Sequence, residues 1–341
     1  MGGTVANKPI RSTADVPGLT TALAGKLDDT QFVGLTRLIV SATEPADPQE
    51  GDVWLQVADT TEPAIAAPAN VTVTAEYTQA VLTWDAIAAA DAYRIKYSTS
   101  ADMSGASTWG AEPTSTTATV TGLANGTIYY YTVEAKIGTA YGTPSTTIGA
   151  VAYMISEDDG LYSTAAGGDI NQVWDNRRNA ATADALTGNN LVVGHWWTAS
   201  LNATPLRSIL IANTAGLPDV ATLVSAALSL KCGATGGTTT INVFGATPAS
   251  NTDIVMDDYD QIGTTAFSAA ASNGTLNTRY KWAFNALGLA AISKTGYTRL
   301  GLKGAQDISG AVPTSQDYRY YIDHTNATEA DRPYLAVSFT V

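Results

Sequence analysis

The chain has 341 residues, 14% of them charged, and a formal net charge of −13 at pH 7, a length that suits two or three domains with separate apolar cores. That acidity excludes nucleic acid as an expected partner, because a phosphate backbone is held by a basic stripe that releases counterions. The single cysteine, Cys232, excludes an intrachain disulfide and a thiolate metal cage, and abundant Thr, Ala and Gly favour strands and turns, so a mainly β fold is expected.

The first ten residues lack the basic n-region and apolar h-region of a signal peptide, and no run approaches the ~18 apolar residues of a membrane span. Neither export nor membrane insertion is expected. Val16, Leu19, Leu23 and Leu27 then fall three, four and four apart, which puts one apolar stripe on a short helix. A lone helix of that length is marginal in water, so the stripe implies self-association or docking onto a larger body, with packing on its own domain as the alternative.

The run STADVPGLTTALAGKLDD, which carries that stripe, resembles short segments near the particle-proximal end of many phage fibre proteins. Residues 41–56, SATEPADPQEGDVWLQ, resemble a phage tail and fibre signature in which a Pro-rich stretch leads to Gly-Asp-x-Trp. The resemblance implies that residues 1–56 form a short helical and extended segment for particle attachment and oligomerisation, trimeric by analogy to fibres. Residues 57–68 carry two prolines without periodicity and read as a linker.

From Asn70 the apolar residues alternate: Val71 and Val73, then Val81, Leu82 and Trp84, then Tyr93, Ile95 and Tyr97. Period-two runs at this spacing, bounded by turn residues, predict an antiparallel sandwich. The stretch Leu123-Ala-Asn-Gly-Thr-Ile-Tyr-Tyr-Tyr-Thr-Val-Glu-Ala resembles the E-to-F region of fibronectin type III domains, and Trp84 and Tyr93 sit where that family places core aromatics. Residues 69–153 are expected to be such a domain, in a spacer role, since function on this scaffold lives in loops and no adhesive triplet is present.

Residues 154–341 have their own strand pattern, with apolar runs at 207–212, 224–231, 239–245, 298–303 and 334–341 separated by Gly and Pro, which predicts a jelly-roll-type β-sandwich. Ala283–Ile292 adds a helical turn, and Gly233-Ala-Thr-Gly-Gly reads as a hairpin turn. The region resembles the DNRLRE domain, a β-sandwich akin to carbohydrate-binding modules, through Asp175-Asn-Arg, Leu191-Val-Val-Gly, the run 207–230 and Arg332-Pro-Tyr-Leu-Ala-Val. Arg178, Asn179 and Ala180 replace the family's Leu, Arg and Glu, so the resemblance implies the fold and not a role for that motif.

Trp196 and Trp197 are adjacent, and in a strand they point to opposite faces, leaving one indole outside unless both faces are covered. Exposed aromatics are the stacking platforms of sugar-binding sandwiches, and Tyr318, Tyr320 and Tyr321, with Arg319 between them, form a second candidate set, Tyr318 and Tyr321 foremost; core and subunit-interface positions are the alternative. His195 and His324 lie in no metal or nucleophile motif. The acidic clusters Glu157-Asp158-Asp159 and Asp253, Asp257, Asp258, Asp260 lack EF-hand spacing and read as solvated turns, with Ca²⁺ as the alternative. No other cofactor or metal is expected.

Taken with the resemblances, these features lead us to expect a non-enzymatic phage virion protein, a tail or head fibre or appendage assembled in the host cytoplasm. It would contact other virion proteins through its N-terminal segment and display its C-terminal domain to a host-surface glycan or protein. The alternatives are a capsid decoration protein without a specific ligand, and a glycan depolymerase, which needs paired carboxylates in a groove.

Overall fold

The computed structural model describes residues 37–41, 52–56, 64–164, 170–188, 190–198, 202–272 and 274–341; the expected stripe of Val16, Leu19, Leu23 and Leu27 lies outside them. The chain divides into two compact units, Met1–Ala64 and Ile65–Val341. In the first, β1 (Arg37–Ser41) and β2 (Asp52–Gln56) pair in parallel, Leu38 opposite Val53 and Val40 opposite Leu55.

The second unit opens with β3 (Thr72–Glu76), β4 (Gln79–Thr83), β5 (Ala92–Ser98), β6 (Ser107–Thr108), β7 (Thr117–Thr121), β8 (Tyr129–Ile137) and β9 (Ala140–Tyr141). One sheet is β3-β4-β7, and facing it run β6-β5-β8 with β9 beside β8. Alternation does the sorting here: Val73 and Ala75 of β3, Ala80 and Leu82 of β4, and Val133 and Ala135 of β8 turn inward. Trp84 and Tyr93 meet edge to face in this core at 5.2 Å. The Tyr129 hydroxyl accepts the backbone N–H of Ala124 at 3.2 Å, a tyrosine corner that fixes the entry into β8.

β10 (Ile148–Tyr162) does not end at the domain boundary expected between residues 153 and 154. Its first residues pair with β8, and the same strand continues to pair with the final strand of the chain and then with the centre of the C-terminal region. That region comprises β11 (Ala185–Leu186), β12 (Leu191–Thr198), β13 (Asn202–Asn213), β14 (Thr222–Gly236), β15 (Thr240–Ala246), β16 (Ile262–Ala266), β17 (Ala271–Ser272), β18 (Arg279–Ala283), β19 (Tyr297–Gly304), β20 (Asp317–Tyr321) and β21 (Tyr334–Thr340). One layer runs β16-β15-β19-β13 with the distal half of β10, and the other runs β10-β21-β14-β18.

β12 and β20 connect β13 to the far half of β14, so that β10, β13, β12, β20, β14 and β21 form a closed circuit of pairings. Closure leaves those strands without a free edge that could template aggregation. Between the layers lie Leu210, Val243 and Leu300 from one side and Leu228, Trp282 and Val337 from the other.

The connection between the two sandwiches is a shared core boundary. In β10, Ala150 and Ala152 enter the first core while Val151, Tyr153 and Ile155 enter the second; in β21, Tyr334 and Ala336 enter the first and Leu335, Val337 and Phe339 the second. Tyr130 of β8 also crosses into the second core, edge to face with Phe339 at 5.9 Å. Strands buried on both faces read as unbroken apolar runs, which explains the sequences at 148–155 and 334–337.

Local chemistry shapes the rest. The Asn285 side chain caps the short helix Ala286–Ala290 by accepting from the Gly288 N–H, within the stretch expected to hold a helical turn. Of Gly233 to Gly237, expected to be a hairpin turn, the first four prolong β14 through a bulge between Cys232 and Ala234, and the turn falls at the last, Gly237, with φ 83. On the outer side of β13, the buried Arg207 holds Asp307 in a bidentate pair, Nε to Oδ2 at 2.7 Å and Nη2 to Oδ1 at 2.8 Å. It also donates to the carbonyls of Tyr259 and Arg178 and lies over the Tyr259 ring.

Gly194, where β12 meets Tyr318 of β20 and Leu206 of β13, has φ 117. A Cβ there would strike the Asp317 carbonyl in a conformation L residues rarely adopt. Gly194→Ala is expected to cost about 2 kcal/mol or more, read as a lower urea midpoint with unchanged slope. An unchanged midpoint would show that β12 relaxes without this turn.

Candidate functional site

The strand parity of β20 decides which tyrosines can meet a ligand. Arg319 and Tyr321 turn to the buried side, while Tyr318 and Tyr320, two residues apart, share the half-exposed side. Tyr321 is 2% exposed and meets Trp282 edge to face at 5.6 Å, so burial pushes its hydroxyl far above the ordinary tyrosine range. The ligand contact expected at Tyr321 is therefore corrected: it is a core residue.

The half-exposed tyrosines join two further rings. Tyr318 and Tyr320 stand edge to face at 5.1 Å, the Trp196 indole lies beside the Tyr320 hydroxyl, and Tyr162 at the end of β10 tilts against Trp196 at 5.2 Å. Burial and the neighbouring Tyr318 raise the Tyr320 hydroxyl, against the influence of the nearby Trp196 indole, so it stays a neutral donor and acceptor at neutral pH. Tyr162, Trp196, Tyr318 and Tyr320 thus form a contiguous, half-exposed aromatic surface with a polar centre. Flat apolar faces beside hydroxyl donors suit a ring-shaped polar ligand.

Of the residues expected from sequence, Trp196, Tyr318 and Tyr320 come together here. Trp197 does not: it is half-buried, its indole nitrogen is buried without a partner, and it shares no ring contact with this surface among the described residues. Tyr162, not expected from sequence, completes the surface. The period-two spacing of Tyr318 and Tyr320 puts them on one side of the strand, whereas nothing local links Tyr162 to Trp196.

The acidic stretch at 157–159 is corrected as well. It lies inside β10 and not in a solvated turn, with Asp158 1% and Asp159 8% exposed. Asp158 accepts from the His324 backbone N–H at 3.0 Å and meets His324 Nδ1 at 2.9 Å; Asp159 accepts from Gly160 N–H and the Thr187 hydroxyl. Asp258 is also buried, accepting the N–H groups of Ala249 and Val255, whereas Asp253, Asp257 and Asp260 are exposed. Among the described residues no three His, Cys, Asp or Glu side chains gather as a metal site. His195 is buried, donates from Nε2 to the Ser315 carbonyl at 2.8 Å, and is held below the usual histidine range by burial.

Burial pushes the Asp158 carboxyl up to about 6, and the bond to Asp158 raises the His324 imidazole. Both folded-state values lie above the unfolded ones, so the folded chain holds more protons from about pH 4 upward through the histidine range and loses stability as pH rises through it. The wild-type chain should therefore lose more melting temperature from pH 5 to pH 8 than the double variant Asp158→Asn, His324→Gln, by a few degrees. Parallel pH curves for the two would refute the coupling.

A family model for the fibronectin type III domain matches residues 66–150. Among solved structures, a Fn3-like protein from Clostridium thermocellum is 33% identical over 25% of this chain and 90% of its own, with a TM-score of 0.24. The fn3 domain of human contactin 1 is 22% identical over 28% of this chain and 84% of its own, also at 0.24. A chitinase, ChiA74 from Bacillus thuringiensis, is 13% identical over 69% of this chain and 26% of its own, at 0.21. No curated protein matches the chain.

Proposed function

We propose, for a chain whose residues 66–150 are a fibronectin type III domain, that it is a phage virion structural protein, a fibre or appendage whose C-terminal sandwich attaches to host-surface glycan. The observation that carries this reading is the half-exposed surface of Tyr162, Trp196, Tyr318 and Tyr320 on a sandwich whose strands are locked by a closed circuit. Rigid rings bind with little loss of rotamer freedom.

The virion assignment is supported by the resemblance of residues 12–29 and 41–56 to fibre segments. Oligomerisation through Val16, Leu19, Leu23 and Leu27 fits the two-stranded pairing of β1 and β2, because a sheet of two strands is marginal alone. Several copies held together would raise weak single contacts by effective concentration.

The test is binding of the full chain to a glycan array and to host cells. Saturable binding that falls at least tenfold in Trp196→Ala and Tyr320→Ala, with melting temperatures retained, is expected. Absence of binding, or binding indifferent to both variants, would remove the attachment role, and absence of the chain from purified particles by mass spectrometry would remove the virion role.

A further inference from the structure

A cavity of about 320 Å³ opens between the end of the helix Ile170–Arg178, β16, β19 and the helix Ala305–Ser309. Its volume falls within the roughly 300–1,000 Å³ of small-molecule sites. Arg178, Arg207 and Lys303 line it, opposed by the carboxylates of Asp307 and Asp260. Arg178 and Arg207 are each paired with a carboxylate, Asp175 and Asp307, which leaves Lys303 as the lining cation without an ion pair among the described residues.

The donors are not all committed. Asp307 already neutralises Arg207. Lys303 Nζ donates to the carbonyls of Ile262 at 3.0 Å and Gly263 at 3.2 Å, which leaves its remaining N–H for the cavity. Arg178 donates from one terminal nitrogen to the Asp307 carbonyl and from the other to Asp175, and each of these nitrogens keeps a second N–H. Around these donors, Phe244, Ile262 and Ile308 supply apolar wall and Asn179 and Thr264 supply polar wall.

We propose that this cavity binds an acidic sugar residue, its carboxylate held by Lys303 and Arg178 and its ring seated against Phe244 and Ile262. The paired walls suit a ring with hydroxyl groups better than a free oxyanion, which would leave the apolar side unfilled. Burial, together with the nearby Arg207 and Arg178 and against the pull of Asp307, draws Lys303 down to about 8, so binding should weaken between pH 7 and pH 9. This site is independent of the aromatic surface.

The experiment is calorimetric titration of the full chain with glucuronate and galacturonate oligosaccharides, their neutral counterparts, and inorganic phosphate. Acidic oligosaccharides should bind at least tenfold more tightly than neutral ones, and Lys303→Met should remove that preference while Trp196→Ala leaves it intact. Arg178→Gln provides the same test should Lys303→Met fail to fold. Equal binding of acidic and neutral sugars, or an acidic preference untouched in a folded Lys303→Met chain, would overturn the site. Binding of phosphate without any acidic sugar would overturn the sugar assignment. Loss of acidic-sugar binding in Trp196→Ala alone would overturn the cavity and leave the aromatic surface as the binding site.

Discussion

Asp307→Asn is expected to destabilise the second unit by about 3–5 kcal/mol, because it leaves the Arg207 guanidinium charged and uncompensated inside the protein. The two side chains are 5% and 1% exposed, so solvent in the adjoining cavity reaches little of the pair and replaces the lost carboxylate only in part. Arg207 also bridges three parts of the chain, donating to the Tyr259 and Arg178 carbonyls as well as to Asp307. Arg207→Met should be comparably harmful through the orphaned Asp307. Removing both charges in Arg207→Met, Asp307→Leu should cost less than the sum of the single changes, since no buried charge is then left alone. Urea unfolding of the three variants reads this directly, and strict additivity would mean that the pair contributes nothing as a pair.

Ala150→Pro should have the second large effect. Ala150 faces Tyr129 of β8 on one edge and Ser338 of β21 on the other, so a ladder partner lies on either side and a proline removes an N–H from the interior of the sheet. The expected cost is about 3 kcal/mol or more. Because alternate residues of β10 enter both cores, the fibronectin-type core around Trp84 and the C-terminal core around Trp282 should melt together, in the wild type and at a lower temperature in the variant. Two separated calorimetric transitions in the wild-type chain would show that the cores are energetically independent.

Much of this architecture is legible in residue order. Trp84, Tyr93 and the alternating runs of β3, β4 and β7 locate the first sandwich because these strands have one buried and one wetter face, which alternation reports. The fusion is hidden for the opposite reason: β10 and β21 are buried on both faces, and a continuous apolar run does not say which neighbour lies on which side. At the candidate site, Trp196 and Tyr318 are readable as rings on strands, but Tyr321 differs from the exposed pair by one step of parity. The Asp158–His324 and Arg207–Asp307 pairs join residues far apart in sequence, and nothing local marks either acid as buried.

The shared boundary also limits how such a chain can be reassembled. Fibronectin-type modules are self-contained when their final strand belongs to them alone, and can then be exchanged by a cut at either end. Here the final strand, and Tyr130 with it, carries half of its side chains for the neighbouring domain. A recombinant that imported a foreign module up to residue 153 would have to reproduce Tyr130, Val151 and Tyr153 as well as its own interior, so exchange at this junction selects donors by the surface they present to the next domain.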